Sequence, residues 1–304
     1  FEWLASRREW ATRDALVDQV IAAHYPALLK LPVDQRHAAW YREIVLRTAR
    51  LMAAWIASGF AHGVMNTDNF SIVGDTLDYG PFGWLDAYDP GFVCNHTDWA
   101  GRYAFDQQPM VGLWNCARLG EALHPLVPET DALATLDAYR DAYEHTVTTL
   151  LRAKLGLIVA QDDDVALIGA LLELFRATHA DYHRSFRALS RWDAADAASN
   201  TALRAEIADA AGLEAWLARY AERLQRETQS TAERHRAMLA VNPKYVLRNW
   251  VAQEVIQNAE TGNVALVDAV RELLDAPFDE HPAMERYAAP PPAWAKEIVV
   301  SCSS

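Results

Sequence analysis

The sequence has 304 residues, 51% of them hydrophobic, with 28 Lys and Arg against 41 Asp and Glu and a formal net charge of −13. That is enough apolar material for one large core or two modest ones, and it excludes a disordered or fibrous chain. Four lysines and an acidic balance exclude a basic phosphate-reading surface, so no nucleic-acid partner is expected, and a bound nucleotide would need help from cations.

In chain order, residues 14–24 form a short amphipathic segment stopped by Pro26. Asp34 is placed to cap a longer helix ending at Gly59, in which Tyr41, Ile44, Val45, Leu51, Met52, Trp55 and Ile56 recur mostly three and four apart. Residues 62–109 break this pattern and carry six of the 13 glycines. Within them, 70–73, Gly74-Asp75 and 76–78 read as two short strands joined by a two-residue turn. Helical spacing returns over 165–177, 213–239 and 245–259. Pro243 stands where a helix could start, and Pro290 to Pro292 precede an apolar tail, 298–300. The longest apolar stretches are interrupted well short of the ~20 residues that span a bilayer. No charged-then-apolar leader opens the chain, so no membrane partner is expected. Three cysteines, Cys94, Cys116 and Cys302, are too scattered for a disulfide framework or a zinc site and point to a reducing compartment.

The glycine-rich insert holds the residues able to do chemistry. A long helix, His62 with Asn69 seven residues on, a hairpin and then Asp78-Tyr79-Gly80 follow the order of protein-kinase-like catalytic lobes. Chemistry at phosphorus needs hard oxygen ligands for Mg²⁺, and an Asn carbonyl with an Asp carboxylate provides them. The position of the usual kinase base is Val64, which cannot accept a proton; Asp68 is the nearest carboxylate that can. His62 is expected to orient the loop. Asp86 and Asp89 read as solvated loop acids, Arg102 as the partner of a nearby Asp, Arg248 as a helix-end or stacking residue, and Cys116 as core.

The segments HGVMNTDNFSIVGDTLDYGPFGWLDAYDPGFVCNH (62–96), GRYAFDQQPMVGLWN (101–115), NPKYVLRNWVAQ (242–253) and the closing VSCSS (300–304) resemble the selenoprotein O (SelO/YdiU) pseudokinases. The resemblance implies a protein adenylyltransferase that binds ATP and moves AMP to Ser, Thr or Tyr hydroxyls of proteins with Mg²⁺ or Mn²⁺. It implies Asp68 as proton acceptor, Asn69 and Asp78 as metal ligands, and Asp78 as the nucleotide contact through the metal. It also implies a redox link between Cys94 and Cys302, and a cytoplasmic location in a bacterium or a mitochondrial one in a eukaryote. A Gly-rich phosphate loop and a strand lysine are not found in this sequence, which begins at Phe1 and matches roughly the C-terminal three fifths of the family.

The expected architecture is therefore mainly α: a protein-kinase-like C-lobe (1–160) with a small β-hairpin at the catalytic loop, the N-lobe absent, and a helical C-terminal extension (161–304) packed on the lobe. This chain alone is expected to bind ATP weakly. Two other readings stay open: a small-molecule phosphotransferase of kinase-like fold, against which Val64 stands, and a non-catalytic remnant.

Overall fold

The computed structural model describes residues 1–301, so Cys302 of the expected redox pair lies outside the described residues. The chain is built from helices α1 (Glu2–Ser6), α2 (Trp10–His24), α3 (Val33–Ser58), α4 (Gln108–Leu123), α5 (Glu129–Lys154), α6 (Asp164–Thr178), α7 (Tyr182–Leu189), α8 (Asn200–Glu206), α9 (Ala210–Leu224), α10 (Thr231–Leu239), α11 (Asn249–Glu260) and α12 (Ala265–Asp275). Two short strands, β1 (Phe60–Ala61) and β2 (Gly83–Trp84), pair antiparallel with Phe60 opposite Trp84.

Helix α3 starts after Pro32, with Asp34 in its first turn instead of at the cap, where its charge still complements the N-terminal dipole. Its apolar stripe buries Tyr41, Ile44, Val45, Met52 and Trp55, as the spacing predicts. Gly59 ends it at φ 72°, and its N–H returns to the Trp55 and Ile56 carbonyls. A Cβ at Gly59 would lie 2.9 Å from the Tyr182 ring, so the left-handed turn is also a close crossing of α7.

Three further sequence expectations are corrected. Residues 70–78 are not a hairpin. Gly74 does turn, at φ 84°, with its N–H on the Ser71 carbonyl, but the flanking backbone finds side chains instead of a ladder. The Tyr25 hydroxyl donates to the Ile72 carbonyl, Arg47 Nη1 to Val73 (3.2 Å), and His62 Nε2 to Leu77 (2.7 Å). Backbone groups satisfied this way have no need of a strand partner. The ladder that forms, β1 with β2, lies outside the expected hairpin and closes the base of the whole loop 62–82.

The run 213–239 is two helices, because residues 225–230 leave the helix and Ser230 restarts it with a capping box to Glu233. Residues 245–248 carry no regular structure before α11, so Pro243 opens no helix.

Three apolar clusters form the core. Val17, Ile21, Trp40, Met52, Phe60 and Leu123 join α2, α3 and α4 to the loop. Leu85, Phe105, Leu155, Phe175, Tyr182 and Trp216 form a second cluster with residues from both sides of position 160. Tyr245, Trp250, Val270 and Tyr287 form a third. Among the described residues no helix is long and apolar enough to cross a membrane.

Candidate active site

The loop 62–69 leaves β1 with little regular structure of its own, and buried amide side chains hold it in place of a ladder. Gln108 accepts from His62 N–H and donates to the Phe60 carbonyl, both at 2.9 Å. Asn115 donates to the Met65 carbonyl (3.0 Å), and Asn95 to the Gly63 carbonyl (3.1 Å). Gln108 and Asn115 are seven residues apart on α4 and so share one face toward the loop. The sequence reading missed them. Two amides two turns apart on a mostly apolar helix were the available signal, since such groups need polar partners when buried.

Gly63 lies where three segments cross. At φ 80°, a Cβ there would meet the Pro81 carbonyl oxygen at 2.2 Å and Cys94 Sγ at 2.6 Å. Gly63→Ala is expected to cost about 2–3 kcal/mol through left-handed strain and overpacking. Denaturant unfolding tests this, and a midpoint equal to wild type would contradict the crossing.

His62 sits beneath the site, buried and stacked on Trp55 at 5.1 Å. A carbonyl can only accept, so Nε2 carries the proton to Leu77, which leaves Nδ1 to accept weakly from Val64 N–H at 3.4 Å. Burial pushes the His62 pKa below the usual histidine value, which keeps the ring neutral. Val64, at the position where kinases carry a base, contributes its backbone: its carbonyl accepts from Asn69 Nδ2 at 3.1 Å. A continuous path thus runs from Asn69 through Val64 and His62 to Leu77, the neighbour of Asp78.

With its amide nitrogen occupied, Asn69 Oδ1 makes no protein hydrogen bond among the described residues. The same holds for the exposed carboxylates of Asp68 and Asp78. Asp78 adopts φ 58°, a conformation Asp tolerates better than most residues. Asp68 sits in a single 3₁₀ turn, Thr67–Asn69, and lines a cavity of about 640 Å³ with Ile44, Phe70, Asn115 and Leu119. Among the described residues no three or more His, Cys, Asp or Glu are arranged so that they could hold a metal ion. An amide oxygen and a carboxylate are the hard-oxygen donor types that a Mg²⁺-type ion takes together with phosphates and water.

The remaining sequence assignments divide. Arg102 makes no ion pair among the described residues; its guanidinium stacks on Tyr103 and Trp114, and the Asp98 carboxylate caps the backbone of Arg102 and Tyr103 instead. Asp86 is not a free solvated acid. It binds the buried Arg248 at 2.7 Å, and Asp181 holds the same guanidinium at 2.7 and 2.9 Å. Cys116 is buried core. Cys94 is also buried, facing the Ala61 and Pro81 carbonyls, and burial pushes its thiol up to about 12.

A family model described as "Protein adenylyltransferase SelO" matches residues 1–275. The chain belongs to the SelO family. A SelO relative from Myxococcus xanthus, "Protein nucleotidyltransferase YdiU", is 53% identical over 289 residues, covering 95% of this chain and 59% of that protein. The protein of the same name from Thioalkalivibrio sulfidiphilus is 49% identical over 310 residues, covering 100% and 62%, and that from Vibrio cholerae is 44% identical over 310 residues with the same coverage. This SelO-family chain therefore spans about three fifths of the length of the curated relatives it matches.

Proposed function

We propose that the chain carries the catalytic loops of a protein adenylyltransferase with a kinase-like C-lobe, which moves AMP from ATP to Ser, Thr or Tyr hydroxyls of proteins. The observation that carries this reading is the path Asn69–Val64–His62–Leu77, which ties the two oxygen-bearing segments together and leaves Asn69 Oδ1 free. In this reading Asn69 Oδ1 and the Asp78 carboxylate hold Mg²⁺ or Mn²⁺, and Asp68 accepts the proton of the attacking hydroxyl. The cation, when bound, neutralises phosphate charge and so makes the α-phosphorus attackable. His62, neutral and buried, positions both loops and takes no part in proton transfer. Val64 lacks the carboxylate that a γ-phosphoryl-transferring kinase uses, and this favours adenylyl over phosphoryl transfer.

Titration of ATP with Mn²⁺ into a chain extended to the relatives' length tests the ligand set. Asn69→Leu and Asp78→Asn are each expected to weaken binding about tenfold or more. Wild-type affinity in both variants would refute it.

The Cys94–Cys302 link remains a proposal of the same reading. It is supported by the tail, where the Val300 carbonyl accepts from His96 N–H at 2.8 Å, two residues from each cysteine. A non-reducing peptide map after mild oxidation should contain the linked pair; free thiols throughout would remove it.

A further inference from the structure

A second cavity, of about 550 Å³, lies nearer the C-terminal end of α3 and shares no lining residue with the Asp68 cavity. Ala57, Trp84, Leu150, Val246 and Phe278 give it apolar walls, and Lys154 is the one basic residue lining it. The Lys154 side chain, at the C-terminal end of α5, is only 5% exposed. Its ammonium has no carboxylate and no hydrogen-bond acceptor among the described residues, and it lies over the rings of Phe186 and Tyr182, 4.7 Å and 5.5 Å from their centroids. Both ring nitrogens of His183, on the same helix as those rings, are buried and also lack partners.

The other groups around Lys154 do not neutralise it. Tyr182 donates its hydroxyl to the Ala57 carbonyl (2.9 Å), and burial pushes its pKa up. His183 is pushed well below its usual value by burial, and by Arg248 and Lys154 themselves, so it stays neutral. Arg248 is already matched by Asp86 and Asp181, Arg187 faces the Leu239 and Asn242 carbonyls, and the Tyr245 hydroxyl points toward His281 and Glu285. A buried cation with aromatic faces but no anion is costly, and a carboxylate brought into the apolar cavity would relieve that cost. The volume falls in the range of sites for small organic ligands.

We propose that this cavity binds a small carboxylate with an apolar body, its head paired with the Lys154 ammonium and its chain against Leu150, Val246 and Phe278. Burial lowers the Lys154 pKa to about 7, so the site is charged below that pH and neutral above it. Calorimetric titration of octanoate into the 304-residue chain, with octan-1-ol as the neutral control, tests this. At pH 6 octanoate should bind saturably and about tenfold or more tighter than octan-1-ol, and its affinity should fall about tenfold by pH 8.5. Lys154→Met, which keeps the volume, should remove both the preference and the pH dependence and leave octan-1-ol binding unchanged.

Val241→Trp, at the lining, should abolish binding of both ligands by filling the space. The inference is overturned by absence of saturable octanoate binding, by equal affinity for the two ligands at pH 6, or by unchanged octanoate binding in either variant. Lys154→Met should also raise Tm, more at pH 6 than at pH 9. The unfolded chain keeps this proton to about pH 10.4 and the folded chain sheds it near 7, so wild-type stability rises with pH across that window.

Discussion

Asp78→Asn and Asp68→Asn, each in a chain extended to the length of its relatives, are expected to lower adenylyl transfer by about 10²–10⁴-fold while changing stability by no more than about 0.5 kcal/mol. Both carboxylates are exposed and make no protein hydrogen bond among the described residues, so their loss disturbs no packing. Asn is the informative replacement at position 78, because it keeps the tolerance for φ 58° that Ala would lose. The two variants should fail differently. Asp78→Asn should raise the Mn²⁺ concentration needed for half-maximal rate, whereas Asp68→Asn should lower kcat with metal dependence unchanged. Identical defects in the two would mean that the carboxylates do not divide the roles assigned to them.

Arg248→Ala is expected to destabilise the fold by about 3–5 kcal/mol, because it strands two carboxylates that converge on one buried guanidinium. Asp181 is the more enclosed of the pair, with an 11% exposed side chain against 42% for Asp86, so Asp86 can rehydrate and Asp181 cannot. Arg248→Ala combined with Asp181→Asn should therefore recover part of the loss, while pairing it with Asp86→Asn should recover less. Urea midpoints of the single and double variants measure this. Additive losses in place of recovery would show that the three groups are not one network. The network matters to the site because Asp86 follows β2 by two residues and α11 begins at Asn249, whose side chain holds the Phe82 carbonyl at 2.8 Å. Arg248 thus anchors the strand that closes the base of the candidate catalytic loop.

What the sequence made legible follows from where the physics is local. The stripe on α3 and its stop at Gly59 come from helical period and left-handed glycine, both properties of neighbouring residues. Asp68, Asn69 and Asp78 are singled out as candidates because hard-oxygen chemistry restricts the residue types and because the surrounding segments resemble a known family. The hairpin over 70–78 failed because turn residues predict a turn and not a ladder. Gly74 turns, but Tyr25, Arg47 and His62, which lie 15 or more residues from the carbonyls they bind, take those that a second strand would have used.

Partners distant in sequence were invisible for the same reason. The Arg248 guanidinium and the Asp86 carboxylate are 162 residues apart, and Asn242, which binds the Lys154 carbonyl at 2.9 Å, lies 88 residues from it. The part Val64 plays does not follow from its side chain. It lacks the base, yet its N–H and carbonyl link His62 to Asn69.

The most direct test of adenylyl transfer at Asp68, Asn69 and Asp78 is to offer a chain extended to its relatives' length ATP labelled at either the α- or the γ-phosphate, with Mn²⁺ and protein acceptors. Label from the α-phosphate should appear on protein hydroxyls with release of pyrophosphate, and none should arrive from the γ-phosphate. Protein or metabolite labelled from the γ-phosphate, with ADP as the product, would contradict it.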